Sequence, residues 1–137
     1  MIRILLQIVG GVCIVAVFFF GTLYYLNSSD ATSRDATRVA NVRLLKSALD
    51  RYRVAKGRYP APFPDNPVED LKPALVDGGL LKSLPADPSD RVMRYSVGGG
   101  TEGKRYALKV PLETGDCVTG IGFEQSGWYA PAPPCPF

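Results

Sequence analysis

Residues 4–26 carry no charged side chain and are apolar apart from Gln7, Thr22 and a few small residues. A helix of that length rises about 34 Å, enough to cross the hydrocarbon core of a bilayer. Tyr24 and Tyr25 fall at its outer end, where amphipathic rings favour the headgroup level. A cleaved signal peptide is the rival reading. Its apolar core would be shorter, and the only small-x-small site here is Ser29-Asp30-Ala31. The pattern therefore predicts a transmembrane helix over residues 1–27.

From residue 34 the pattern turns amphipathic. Val39, Val42, Leu45, Leu49 and Tyr52 recur at steps of three or four, which places them on one face of an α-helix. Leu44, Ala48 and Ala55 widen that face, and Arg43, Ser47 and Asp50 lie opposite it. Gly57 supplies a left-handed stop, and Pro60 holds Tyr59 out of helical geometry. The intervening residues 27–33 are polar but contain neither Gly nor Pro. They are either a short break or the junction of one long helix, and the favourable spacing of Asp30 and Arg34 supports continuity. Residues 28–60 are thus read as the exposed half of a long helix.

Beyond Pro60 the chain reads as loop and sheet. Residues 61–66 are Pro-rich and extended. Asn66-Pro67-Val68-Glu69 has the order of a helix start, with Asn as cap, Pro in the first turn and Glu reaching back. That short helix is predicted to run to Leu75 or Val76, kinked at Pro73, and to stop at Gly78-Gly79. Leu80, Leu81 and Leu84 give an apolar patch before Pro85-Ala86-Asp87-Pro88. Residues 91–97 and 105–112 alternate as an antiparallel pair joined through 98–104, and 120–123 and 127–129 are candidates for further strands. The Pro-rich end at 131–136 cannot enter a central strand. The fold class expected is α+β, a long N-terminal helix whose outer half packs on a small antiparallel sheet formed within residues 61–137.

With 137 residues, 46% of them hydrophobic, the chain has room for one small domain besides the span. The net charge of +3 is spread over mixed charges with no basic block, so the composition does not point to nucleic acid as a partner. Histidine is absent, which removes the commonest general base and metal ligand. No Ser-His, Cys-His or paired-carboxylate arrangement is present, and the chain is not expected to be an enzyme. Of the three cysteines, Cys13 lies in the apolar run, where a small buried thiol is the ordinary reading. Cys117 and Cys135 lie in the Gly- and Pro-rich tail as either two free thiols or a bridge clamping a loop. The bridge is the reading adopted, and it requires an oxidising compartment.

Several spaced motifs agree in order with one family. Ala48-Leu49-Asp50-Arg51-Tyr52, Gly57-Arg58-Tyr59-Pro60 and Leu84-Pro85-Ala86-Asp87-Pro88 resemble the soluble half of type IV pilin-like proteins, nearest to the major pseudopilins of type II secretion and the small pilins. Tyr106-Ala107-Leu108 with Leu112-Glu113 is similar to a strand of those proteins. The resemblance covers roughly residues 34–113. It implies a pilin-like fold and a structural or accessory subunit of a secretion or pilus-like machine. Its partners would be other pilin-like subunits and assembly proteins, with membrane lipid along 4–26. It also implies a C-terminal loop closed by Cys117 and Cys135. The chain is expected in the cytoplasmic (inner) membrane with its N-terminus on the inner side and the domain in the periplasm or outside the cell, although the positive charges after the span exceed those before it. The alternative from another class is a non-polymerising, membrane-tethered binding module.

The family's leader, with Gly followed by an aromatic residue and Thr, does not occur in this sequence, and its membrane glutamate falls on Gln7 by ungapped alignment. An amide carries no charge with which to align a neighbour's amino terminus. The expectation is an unprocessed start at Met1 or Ile2 and an accessory subunit. It would touch filament proteins through the helix bearing Val42, Leu45, Leu49 and Tyr52. Two stretches of the sequence suggest a ligand. Gly98 and Gly103-Lys104 have the spacing of a phosphate loop, but Arg105 stands where Ser or Thr would hold magnesium and a strand follows. Glu102, Glu113, Asp116 and Glu124 could offer oxygens to calcium, which wants six or more, and they do not reproduce the acidic loop of the major pseudopilins. Solvated surface acids are the reading adopted, with no cofactor.

Overall fold

The computed structural model describes residues 2–61, 65–97, 103–123 and 132–137. Its fold is α+β, and it comprises two compact units, Met1–Ser33 and Arg34–Phe137. One helix, α1 (Ile2–Lys56), runs through both. It is continuous through residues 27–33, which settles the junction in favour of helix. In the first unit Val12, Val15, Phe18, Phe19 and Phe20 are all exposed, so this stretch has no core of its own. It belongs to the one helix among the described residues that is long and apolar enough to cross a membrane. Cys13, expected to be buried, is exposed and free.

The second unit is built from the outer half of α1 and a four-stranded antiparallel sheet of order β1-β2-β3-β4. The strands are β1 (Asn66–Pro67), β2 (Arg94–Val97), β3 (Tyr106–Leu112) and β4 (Gly115–Ile121). Val42, Leu45, Ala48 and Leu49 are buried to 1% exposure or less, as their helical spacing requires. They cluster with Tyr59, Leu71, Leu75, Tyr95 and the alternating Tyr106, Leu108, Val110 and Leu112 of β3. Tyr52 is half-buried at the margin, whereas Leu44 and Ala55, expected to widen the face, are exposed. The helix stops as its sequence dictates. Gly57 takes φ +75°, and its N–H bonds the Arg53 carbonyl at 2.8 Å. Tyr59 N–H then donates to the Gly103 carbonyl at 2.7 Å, and Tyr95 Oη to the Pro60 carbonyl at 3.0 Å. These bonds turn the chain back along the sheet.

Three expectations are corrected. Asn66 and Pro67 do not start a helix; they pair with Tyr95 and Arg94 as β1, and no side-chain cap forms. The Val68 N–H, which a cap would have engaged, donates to the Met93 carbonyl at 2.9 Å. The helical segment is a 3-10 turn at Val68–Leu71 followed by the single turn α2 (Lys72–Leu75). Pro73 sits in its first turn, where its missing N–H costs nothing. The last strand is not at 120–123 but at Gly115–Ile121, so Cys117 belongs to the sheet and not to the tail. Two glycines hid this strand, yet Gly120 is required there. A Cβ on it would lie 2.2 Å from the Tyr106 carbonyl oxygen of β3. The proposed strand at 127–129 lies outside the described residues.

Candidate functional site

The most concentrated chemistry in the sheet-bearing unit is a charged clasp on Arg38. This side chain stands one helical turn before Val42 on the buried face of α1 and is itself fully buried. Its guanidinium grips Asp87 with both sides of the fork, Nε to Oδ2 at 2.6 Å and Nη2 to Oδ1 at 3.2 Å. Nη1 donates to Asp35 Oδ1 and to Glu113 Oε1, each at 2.8 Å. Arg34 Nε reaches the same Glu113 oxygen at 2.8 Å, and Arg91 Nη2 reaches its other oxygen at 3.2 Å. Three arginines thus face three carboxylates, from the helix, the Pro85–Pro88 turn and the β3–β4 hairpin.

Local backbone geometry presents each partner. Asp87 Oδ1 also accepts the N–H groups of Ser89 and Arg91, which folds the turn around the carboxylate. Asp35 accepts the Glu113 N–H at the hairpin tip, and Arg91 Nη1 donates to the Leu112 carbonyl at 2.9 Å. Asn41 adds a bond to the Ala86 carbonyl at 2.9 Å. The hydrogen bonds from Arg34 and then Arg38 pull the Glu113 carboxyl down to about 2. Burial alone would raise the Asp87 carboxyl, but the Arg38 bond and the two backbone N–H groups more than offset it, so it too lies below the usual carboxylate range. The same bond to Asp87 raises Arg38 further against the opposing effect of burial. Arg38, Asp87 and Glu113 are therefore charged at neutral pH. Its chemistry is to hold three elements together, not to transfer protons.

The remaining residues singled out by sequence fall as follows. Cys117 and Cys135 form a disulfide, 18 residues apart in the chain. Its tail segment lies beside β4, with a parallel bridge between Val118 and Pro134. Val118 N–H donates to the Pro133 carbonyl and Cys135 N–H to the Val118 carbonyl, each at 2.9 Å. A disulfide fits an oxidising compartment. Gln7 is exposed on α1 and lines a shallow apolar groove with Gly11, Val15 and Phe19. Val42, Leu45 and Leu49 are buried in the core they share with the sheet. The residues this stretch of α1 exposes include Arg43, Leu44, Ser47, Arg51 and Val54.

Asp50, read as a surface charge, accepts the Tyr59 hydroxyl at 2.9 Å. Of the four acids weighed for calcium, Glu113 is taken up by the arginines and Asp116 pairs with Lys109 at 2.9 Å, while Glu102 and Glu124 lie outside the described residues. Among the described residues no group of three or more metal-ligating side chains is arranged to hold an ion. Gly98 also lies outside them, and Gly103-Lys104-Arg105 leads into β3, not into the helix a phosphate loop needs.

Sequence reasoning missed Arg38 as a site. Its one signal in the sequence is its position four residues before Val42, on the buried face. No protein-family model, curated protein or solved structure matches the chain.

Proposed function

We propose that this protein is a membrane-anchored, pilin-like subunit, structural or accessory, of a type II secretion or type IV pilus-like machine. Its N-terminus would lie on the inner side of the cytoplasmic membrane and its sheet-bearing unit on the outer side. The observation that carries the reading is the division of labour along α1. One uninterrupted helix leaves an apolar, uncovered first stretch and gives its outer half to the core of an antiparallel sheet. The disulfide at Cys117 and Cys135 supports the exported side. The ordered motifs at 48–52, 57–60 and 84–88 support the family. They also acquire physical roles: Tyr59 closes the core and Asp87 closes the clasp.

Protease added to intact spheroplasts should digest the sheet-bearing unit while residues 2–26 stay with the membrane. Deleting the gene should lower release of secreted proteins or surface filaments, and a plasmid copy should restore it. A chain protected in intact spheroplasts, or a deletion strain with normal secretion and filaments, would remove the reading. The second reading, a tethered binding module that does not polymerise, is favoured by one observation. Gln7 offers an amide where a charge would be needed to align a neighbouring subunit. It gains if the protein is exported and membrane-held yet co-purifies with no secretion or pilus component.

A further inference from the structure

The outer edge of β4 has an occupant. Residues 133–135 lie against it, and two of the three (Pro133 and Pro134) have no N–H to offer a further strand. An open edge is a template for pairing with another chain, and proline is a standard way to close one. Here the closing segment is held by the two backbone hydrogen bonds of Val118 and by the Cys117–Cys135 bond. Val118 turns both its N–H and its carbonyl outward to the tail. Neighbouring strand geometry turns the backbone of Asp116 and Gly120 the same way.

We propose that the tail is a covalently latched cover, and that thiol–disulfide exchange uncovers β4 as a docking edge for β4 of a second copy. The edge is self-complementary about Val118. In a two-fold antiparallel pair, Val118 would exchange both hydrogen bonds with its counterpart, and Asp116 would stand opposite Gly120. The carboxylate then meets a residue with no side chain, and no like charges face each other. The chemistry needs a dithiol reductant. One thiolate attacks Sγ of the half-exposed Cys135 and expels the buried Cys117 sulfur as a thiolate. The second thiol of the reductant then displaces Cys135 by closing its own disulfide. The cystine gains two electrons and becomes two thiols, and the reductant becomes a disulfide. The proposal does not depend on the secretion reading, since it concerns only the tail and β4.

The test uses the full chain in detergent, on a Cys13→Ser background so that no other thiol intervenes. Oxidised protein, protein treated with dithiothreitol, and Cys135→Ser protein are compared by light scattering and by hydrogen exchange at the Val118 amide. Reduction or Cys135→Ser should speed Val118 exchange roughly tenfold or more at low concentration. It should also shift the mass to that of a dimer as concentration rises. Adding Val118→Pro to Cys135→Ser removes the outward N–H without touching the β3 ladder, and should return the mass to that of the oxidised chain. An unchanged mass and unchanged Val118 protection after reduction would overturn the proposal. So would a dimer indifferent to Val118→Pro in a protein whose circular dichroism shows an intact sheet.

Discussion

Arg38 and Val42 stand one turn apart on the same face of α1, and both are sealed from solvent, yet they are held by opposite physics. Around Val42, Leu45 and Leu49 the stabilisation is non-directional and scales with apolar area removed from water. Around Arg38 it depends on individual bonds of 2.6–3.3 Å to Asp35, Asp87, Ser89 and Glu113. The apolar region can exchange one side chain for another of similar volume. The charged region cannot, because each carboxylate left without its arginine keeps its desolvation cost. One helix face therefore carries a tolerant section and an exacting one.

The largest single-substitution effect should come from the tolerant section, when it is emptied. Leu49→Ala leaves a cavity under the sheet and should cost about 2–5 kcal/mol, read as a fall in the urea midpoint at unchanged slope. Leu49→Met should recover most of that loss. Arg38→Met comes next, at about 3 kcal/mol, the low end for breaking a buried pair, because Asp35 and Glu113 keep some water. Replacing Asp87 by Leu in the same chain should restore part of the stability. If Arg38→Met alone were neutral, the contrast between the two sections would collapse.

Acid should separate the sections without mutation. Glu113 lies at about 2 in the folded chain, and Asp87 is also lowered. Ordinary carboxylates titrate near 4, so the clasp's contribution is complete above about pH 4.5 and fades as pH falls toward 2. Arg38→Met protein should show a flatter stability curve across that window. The smallest effect belongs to Arg91→Ala. Its side chain is the most exposed of the three arginines, and the loss should stay under about 1 kcal/mol and shrink in high salt.

How much of this was legible in the sequence follows the same division. The three-and-four spacing of Val42, Leu45 and Leu49 is a local signal, and it placed the helix, its buried face and its stop at Gly57 correctly. The disulfide was legible as one of two open alternatives. The clasp was not, because Arg38 meets Asp87 and Glu113 across 49 and 75 residues, and no periodicity marks such a meeting. β1 was hidden because Asn66-Pro67 carries a helix-start order that the Met93 carbonyl overrides by taking the Val68 N–H. β4 was hidden by Gly115 and Gly120, which read as loop until Tyr106 is seen to press on Gly120.

The tyrosines of the core give the sheet-bearing unit an optical gauge of its own integrity. Tyr59 packs tilted against Tyr106 with ring centres 4.5 Å apart, and Tyr95 stacks on Tyr106 at 6.1 Å. Burial, helped by the bond to Asp50, pushes the Tyr59 phenol up to about 12, and burial drives Tyr95 and Tyr106 higher still. Phenols ionise near 10 in an unfolded chain, so these three stabilise the fold below that pH and withdraw support as pH climbs past it. Phenolate absorbs in the near ultraviolet where phenol does not. A slow rise in that absorbance after an alkaline jump would time the opening of the sheet from the helix, with no label attached.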